Sequence, residues 1–268
     1  MSDIPAELVK RLRDETGAGM MDCKRALQET DGDFEAAKRL LRERGIAAAG
    51  KRAGRQTSEG EVLVTIAGHT GAIVAVGSET EPVSKNDQFL GFAERVLEAV
   101  EQGGPDAVGA LEEERRELVG KLGENIVVAG AARLEADDGE MLAEYVHPPA
   151  NKRGVLVKVR GDNPAGARRL AMHIAAAAPR WPTRDKVPAD VVASEQEIYR
   201  ASDEVRSKPE QAREKIVEGM LGKRFFAAYP GGVLVDQAWI HDAGKTVAQA
   251  LQEEGLEVVE FVRYALGE

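Results

Sequence analysis

The hydrophobic period changes at Gly60, and this change constrains the fold more than any other feature of the 268 residues. Upstream, apolar residues recur only at helical spacing. Leu8, Val9 and Leu12 follow Pro5; Met20, Met21 and Leu27, with Lys24 among them, follow the Thr16-Gly17-Ala18-Gly19 break; Ala37, Leu40 and Leu41 follow Asp33, a natural N-cap. The third helix is expected to stop at Gly45. Three short helices bury little surface, so their apolar face is expected to serve a second purpose. Residues 46–59, rich in Ala, Gly, Lys and Arg, read as a linker or a partly helical connector and form the one basic island of the chain.

Beyond Gly60 the pattern becomes alternating or continuously β-branched. Glu61–Ile66 and Gly71–Val76 read as a hairpin around Gly68-His69-Thr70-Gly71. Helical patterns at Asp87–Glu101 and Asp106–Lys121, then strand-like residues at Ile126–Ala131 and Ala143–Val146, suggest an α+β layer. The second half repeats the order, with a strand at Gly154–Val159, a helix at Ala165–Ala178, and Gly232–Val235 and Val258–Tyr264 expected to return to a sheet. Between them, Val191–Tyr199 and Gln211–Leu221 flank Ser207-Lys208-Pro209 and alternate charge with a thin apolar stripe, the pattern of a protruding antiparallel helix hairpin.

Composition narrows the function. A net charge of −10 opposes general phosphate-backbone binding, so no direct nucleic-acid partner is expected. The single Cys23 excludes an internal disulfide and a Cys-rich zinc site, and no metal or other cofactor is expected. With only six Phe, four Tyr and two Trp, the cores must be aliphatic and alanine-rich. No run reaches the roughly 18–20 apolar residues of a membrane span. The start Met1-Ser2-Asp3-Ile4 lacks signal-peptide regions, so a cytoplasmic protein is expected.

Catalytic signatures are missing. His69, His147, His173 and His241 lie far apart, without an HExxH pair, and no GxSxG, CxxC or GxGxxG motif occurs. His173, on an alanine-rich helix, reads as a packed, hydrogen-bonded residue. Gly45–Arg52 has the G-x-x-x-x-G-K spacing of a phosphate-binding loop, but Arg52 replaces the magnesium-holding Ser or Thr and a helix precedes it. Two surfaces are more informative. Adjacent Met20 and Met21 open a helix and face directions about 100° apart, so one is expected to point outward. In Ser78–Asp87, Pro82 biases Glu81 toward extended geometry, so this segment is expected to project from the fold rather than continue a helix.

Several motifs together resemble the elongation factor Ts family, the exchange factors of elongation factor Tu. They are LRDETGAGMMDCKRAL (Leu12–Leu27), GSETEPVSKNDQF (Gly77–Phe89), GKLGENI (Gly120–Ile126), AMHIAAAAP (Ala171–Pro179), KPEQAREKIVEGM (Lys208–Met220) and FVRYALGE (Phe261–Glu268). The resemblance implies an α+β fold in which a ubiquitin-associated-like three-helix domain (1–45) and a linker (46–59) precede two related α+β subdomains. These span 60–140 and 141–268, and the second carries the helical hairpin at about 188–224. It implies a guanine nucleotide exchange factor without covalent chemistry, which binds elongation factor Tu and promotes GDP release by disturbing the magnesium and phosphate site.

By the same resemblance, Leu12, Met20, Met21 and Lys24 pack on the partner, Leu122 and Gly123 supply a second contact, and His147 lies near the partner. Thr80, Glu81, Pro82 and Val83 align with the intruding loop that the family writes Thr-Asp-Phe-Val. Pro82 therefore stands where the family places an aromatic wedge. The resemblance leaves open whether the assembly is a heterotetramer or the chain a homodimer. Alternatives are an exchange factor weakened by Pro82, a non-catalytic interaction protein using the N-terminal helices, and an enzyme using Glu79, Glu81 and His147.

Overall fold

The computed structural model describes residues 4–268, the side chains of residues 46, 48, 49 and 51 apart. Met1–Asp3, on which the reading of the N-terminus partly rests, lie outside the described residues. Three helices come first: α1 (Ala6–Thr16), α2 (Met20–Glu29) and α3 (Phe34–Arg52). Gly17 ends α1 in the left-handed conformation (φ 68°), its N–H donating to Arg13 O at 2.7 Å. Asp33 caps α3 by accepting from Ala36 N. Val9, Leu12, Cys23, Ala26, Leu27 and Ala37 form the small core, with Leu40 and Leu41 half-buried beside it.

The third helix does not stop at Gly45; it runs seven residues further, to Arg52. Isolated, glycine inside a helix costs about 1 kcal/mol, but here the missing side chain is what allows packing. Helix α6 (Glu112–Leu122) crosses α3 so closely that a Cβ on Gly120 would lie 2.5 Å from the Gly45 Cα. Arg42 adds ion pairs to Glu113 and to Glu117, the latter at 2.6 Å. The phosphate-loop spacing at Gly45–Arg52 therefore lies on continuous helix, with no loop to surround a phosphate.

The period change at Gly60 becomes two three-stranded antiparallel sheets. Strands β1 (Glu59–Ala67), β2 (Thr70–Ser78) and β3 (Ile126–Glu135) form the first, in the order β1-β2-β3. Strands β4 (Glu140–Val146), β5 (Arg153–Arg160) and β8 (Glu257–Ala265) form the second, in the order β4-β5-β8. Side-chain alternation gives each central strand two buried faces. Ala72, Val74 and Val76 meet α5 (Asp87–Gly103) and α6, whereas Ile73 and Ala75 meet Leu156 of the other sheet. Val155, Val157 and Val159 pack under α7 (Pro164–Ala177) and α11 (Val247–Glu253). The layers thus run helix, sheet, sheet, helix. Between α5 and α6, residues Pro105–Leu111 form a 3-10 turn, and a short strand pair, β6 (Ala238–Trp239) and β7 (Asp242–Thr246), precedes α11.

Gly232–Val235 does not join a sheet. Gly231 and Gly232 have positive φ (97° and 69°), which breaks an extended run. Val233 makes only an isolated parallel bridge to Trp181, and Leu234–Asp236 is a 3-10 turn. The hairpin consists of α8 (Ala189–Ala201), the single turn α9 (Asp203–Arg206) and α10 (Glu210–Met220), and it closes on Tyr199, Val205, Val217 and Met220. Among the described residues no helix is long and apolar enough to cross a membrane.

His173 is fully buried and satisfied by its neutral form: Nε2 faces Gln237 Oε1 at 3.0 Å, and Nδ1 accepts from Ile240 N at 3.3 Å. Burial holds its pKa down at about 4, against the opposing pull of the Gln237 bond. A histidine in the unfolded chain protonates near 6.5. The folded chain resists that proton until about pH 4, so this stabilisation is complete above roughly pH 6.5 and lost as pH falls from there to 4.

Two outcomes follow from this architecture. Gly120→Ala should cost about 1–3 kcal/mol by forcing α6 from α3, read as a lower melting temperature and faster protease cleavage at residues 53–58; unchanged values would show that the crossing yields freely. For His173→Phe, unfolding free energy should be lower than wild type at pH 7 but flatter between pH 6.5 and 4, where titration of this one histidine removes roughly 3 kcal/mol from wild type. Parallel pH curves would refute the assignment.

Candidate functional site

The turn after α1 is built by local bonds. Thr16 Oγ1 donates to Leu12 O at 2.6 Å, and the buried Cys23 Sγ reaches Ala18 O at 3.6 Å. Burial pushes the Cys23 thiol pKa up, so it stays an uncharged part of the core. The turn sends α2 outward with Met20 and Met21 at its tip, 53% and 60% exposed. Both face outward, not one alone as expected, because the buried stripe of α2 begins a turn later at Cys23, Ala26 and Leu27. Lys24 is exposed beside them. Leu12 is different: it is completely buried, so it supports the turn from beneath and is not available as a contact surface.

The segment after β2 is a short helix rather than a projecting extended loop. Thr80 is extended (φ −131°, ψ 153°), and Glu81–Ser84 then form the single turn α4. Pro82 fits there because an amide in the first turn of a helix has no partner within it. The extended geometry expected at Glu81 has moved one residue earlier, to Thr80. Thr80, Glu81 and Pro82 are exposed, Val83 is half-buried against the α5 core, and Ser84 is buried. Ser84 Oγ donates to Glu81 O at 2.8 Å, and Lys85 pairs with the buried Glu61 at 2.6 Å.

Behind this turn lies a polar clasp that joins three segments distant in sequence. Glu124 accepts from Thr80 N at 3.0 Å and from Thr80 Oγ1 at 2.5 Å. Glu79 accepts from Asn125 N at 2.7 Å and meets Arg55 at 3.3 Å. The Asn125 amide, and then Arg55, hold the Glu79 carboxyl below its ordinary pKa. Asn125 Nδ2 donates to Arg55 O at 2.9 Å. Arg55, Glu124 and Asn125 fall within segments that the sequence singles out, but it gives none of them a role of its own. The available signals were the basic island itself and a Glu-Asn pair directly after a helix-ending glycine.

That glycine is Gly123, left-handed (φ 78°) and exposed at the end of α6, while Leu122 is half-buried beneath it. Gly17 lies beside this end of α6: a Cβ placed on it would be 3.7 Å from both Lys121 and Gln88, the latter in the first turn of α5. The methionine tip, the α6 terminus and α4 are thereby brought to one end of the molecule. His147 sits exposed on the turn after β4 and hydrogen-bonds Tyr145 through Nδ1 at 2.8 Å. Its turn is tied to β1 by Val62 N donating to Asn151 O (2.7 Å) and by Lys152–Glu59 (2.9 Å).

Glu59 is the β1 residue paired with Ser78, so this turn also lies toward the end at which β2 enters α4. No hydrogen bond joins Glu79 or Glu81 to His147 among the described residues, and the lowered Glu79 pKa is the wrong direction for a general acid. Among the described residues no group of three or more His, Cys, Asp or Glu is placed to hold a metal.

The family described as Elongation factor TS matches residues 79–268, starting on the clasp residue Glu79. Proteins named Elongation factor Ts are similar along the whole chain. That of Saccharopolyspora erythraea is 42% identical, with 100% of both chains covered. That of Arthrobacter sp. is also 42% identical over 100% of each. That of Methylococcus capsulatus is 40% identical over 99% of this chain and 92% of its own.

Proposed function

The chain belongs to the elongation factor Ts family, and from that membership we propose that it is a translation elongation factor that binds elongation factor Tu, with GDP or without nucleotide, and promotes GDP release without covalent chemistry. The single observation that supports this reading best is the gathering of Met20, Met21, the α6 terminus and Thr80–Val83 at one end of the molecule. The methionines offer flexible, polarizable apolar contact for a partner surface. Leu122–Gly123, Lys24 and His147 extend it. Thr80–Val83 then enter the partner near its magnesium and phosphate site.

Release follows from linkage. If the exchange factor and GDP disfavour each other on the same partner, each lowers the other's affinity by the same factor. GTP then enters the emptied site. Pro82 gives the intruding turn a small ring where an aromatic side chain would fill far more space. The wedge is therefore weak here, and the broad surface and the Glu81 carboxylate carry the exchange. Leu12 acts from within the core, by holding the turn that presents the methionines.

The test is release of fluorescent GDP from purified elongation factor Tu at fixed magnesium. Acceleration that excess magnesium relieves supports exchange; tight binding without acceleration would instead favour a non-catalytic interaction protein. Pro82→Phe should raise the maximal release rate, and an unchanged or lower rate would sink the weak-wedge reading. Replacing Met20 and Met21 by Ser should raise the half-saturating concentration about 10- to 100-fold, as expected for losing interface anchors, with little change in the maximal rate.

A further inference from the structure

The four-residue helix α4 cannot hold itself. One turn fixes several backbone angles for few hydrogen bonds, and proline disfavours helical geometry at the residue before it, which here is Glu81. External anchors must supply the order. At its C-terminal end these are plain: Val83 packs on the α5 core, Ser84 is buried, and Lys85 is paired with Glu61. At its N-terminal end Thr80 occupies the capping position, yet its hydroxyl does not cap the helix. Instead, both the hydroxyl and the amide of Thr80 are donated to the Glu124 carboxylate.

Resting on the exchange function proposed above, we infer that Glu124 is a positioning residue for exchange: it fixes Thr80, and through it the pose in which Glu81, Pro82 and Val83 meet the partner. Two features place the anchor itself on firm ground. Arg115, on the same helix as Leu122, donates to Ile126 O at 2.7 Å and pairs with Glu112 at 2.7 Å, tying α6 to the start of β3 on either side of Glu124. The next residue, Asn125, is buried and spends its backbone N–H on Glu79 and its Nδ2 on Arg55 O, while its Oδ1 has no partner. An unpaired buried acceptor is unfavourable; it is kept where the backbone N–H and Nδ2 of Asn125 lock the turn and connector together. Glu124 thus reaches Thr80 from a rigid base.

The charge-assisted bonds from Thr80 to Glu124 are of the stronger kind, so their loss is expected to lower the maximal GDP-release rate about ten-fold in Glu124→Ala. Glu124→Gln keeps the shape and can still accept from Thr80 N while donating to Thr80 Oγ1, so it should stay within about three-fold of wild type. A residue that merely aids folding would reduce the active fraction, raising the half-saturating concentration and leaving the maximal rate alone.

Amide hydrogen exchange provides a readout independent of the partner. In Glu124→Ala, the amides of Thr80, Ser84 and Lys85 should exchange faster while those within α5 do not change. Loosened amides with a wild-type maximal rate would overturn the inference, as would amides that stay protected, or a Gln variant as impaired as Ala. If the unaltered chain releases no GDP, the exchange function fails instead, and hydrogen exchange alone decides whether Glu124 sets the pose.

Discussion

Two sheets are buried on both faces, and the face they share leaves almost no spare room. A Cβ on Gly154 would come within 2.5 Å of Val62, and one on Gly130 within 2.5 Å of the Tyr264 ring. One on Gly71 would lie 2.9 Å from Leu156. Such close approach fixes both strand registers at once, since a slip of one residue would carry every side chain to the opposite face. With few aromatic residues available, Ile73, Leu134, Leu156 and Leu266 fill the space between the sheets, and Tyr264 covers the glycine gap. The helices on the outer faces can then be placed only where the strands' other residues put them.

The position of the candidate site follows from that register. Strand β2 is held from both sides, so its last residue, Ser78, leaves the sheet at a determined point and direction. Ser78 Oγ donates to Thr80 O at 3.1 Å, and the next two residues are taken up by the α6–β3 turn. Here the acidic excess of the chain has a structural use. Glu79 and Glu124 act as acceptors for backbone N–H groups of a neighbouring segment, a task that neutral side chains perform less strongly.

Much of this was legible in the sequence because burial leaves a periodic trace. The Ala72–Val76 run, apolar at every position, reads as a strand, and Ala37, Leu40 and Leu41 after the Asp33 cap read as one face of a helix. What escaped involves partners far away in the chain. Gly45 reads as a terminator until Gly120 is known to lie against it. Glu81 before Pro82 reads as extended until Glu124, Ser84 and Glu61 are known to hold both ends of the turn. Gly232–Val235 has the composition of a strand, but its backbone bonds go to Phe226 and to Arg180, Trp181 and Pro182. The resemblance makes Leu12 a contact residue, whereas its helical spacing with Leu8 and Val9 suits the core in which the three helices enclose it.

The crossing at Gly45 and Gly120 has a further consequence, for how the protein meets a partner. Because two backbones touch there, and Arg42 brackets the contact with carboxylates, the three-helix module and the sheet core present their surfaces at a set separation. A flexible tether would let each surface bind and leave independently. On the function proposed above, a fixed spacing means that engagement of the methionine tip would hold the α4 turn at high effective concentration over its own target. Two modest contacts would then behave as one bivalent ligand, with the glycine crossing fixing the distance between them.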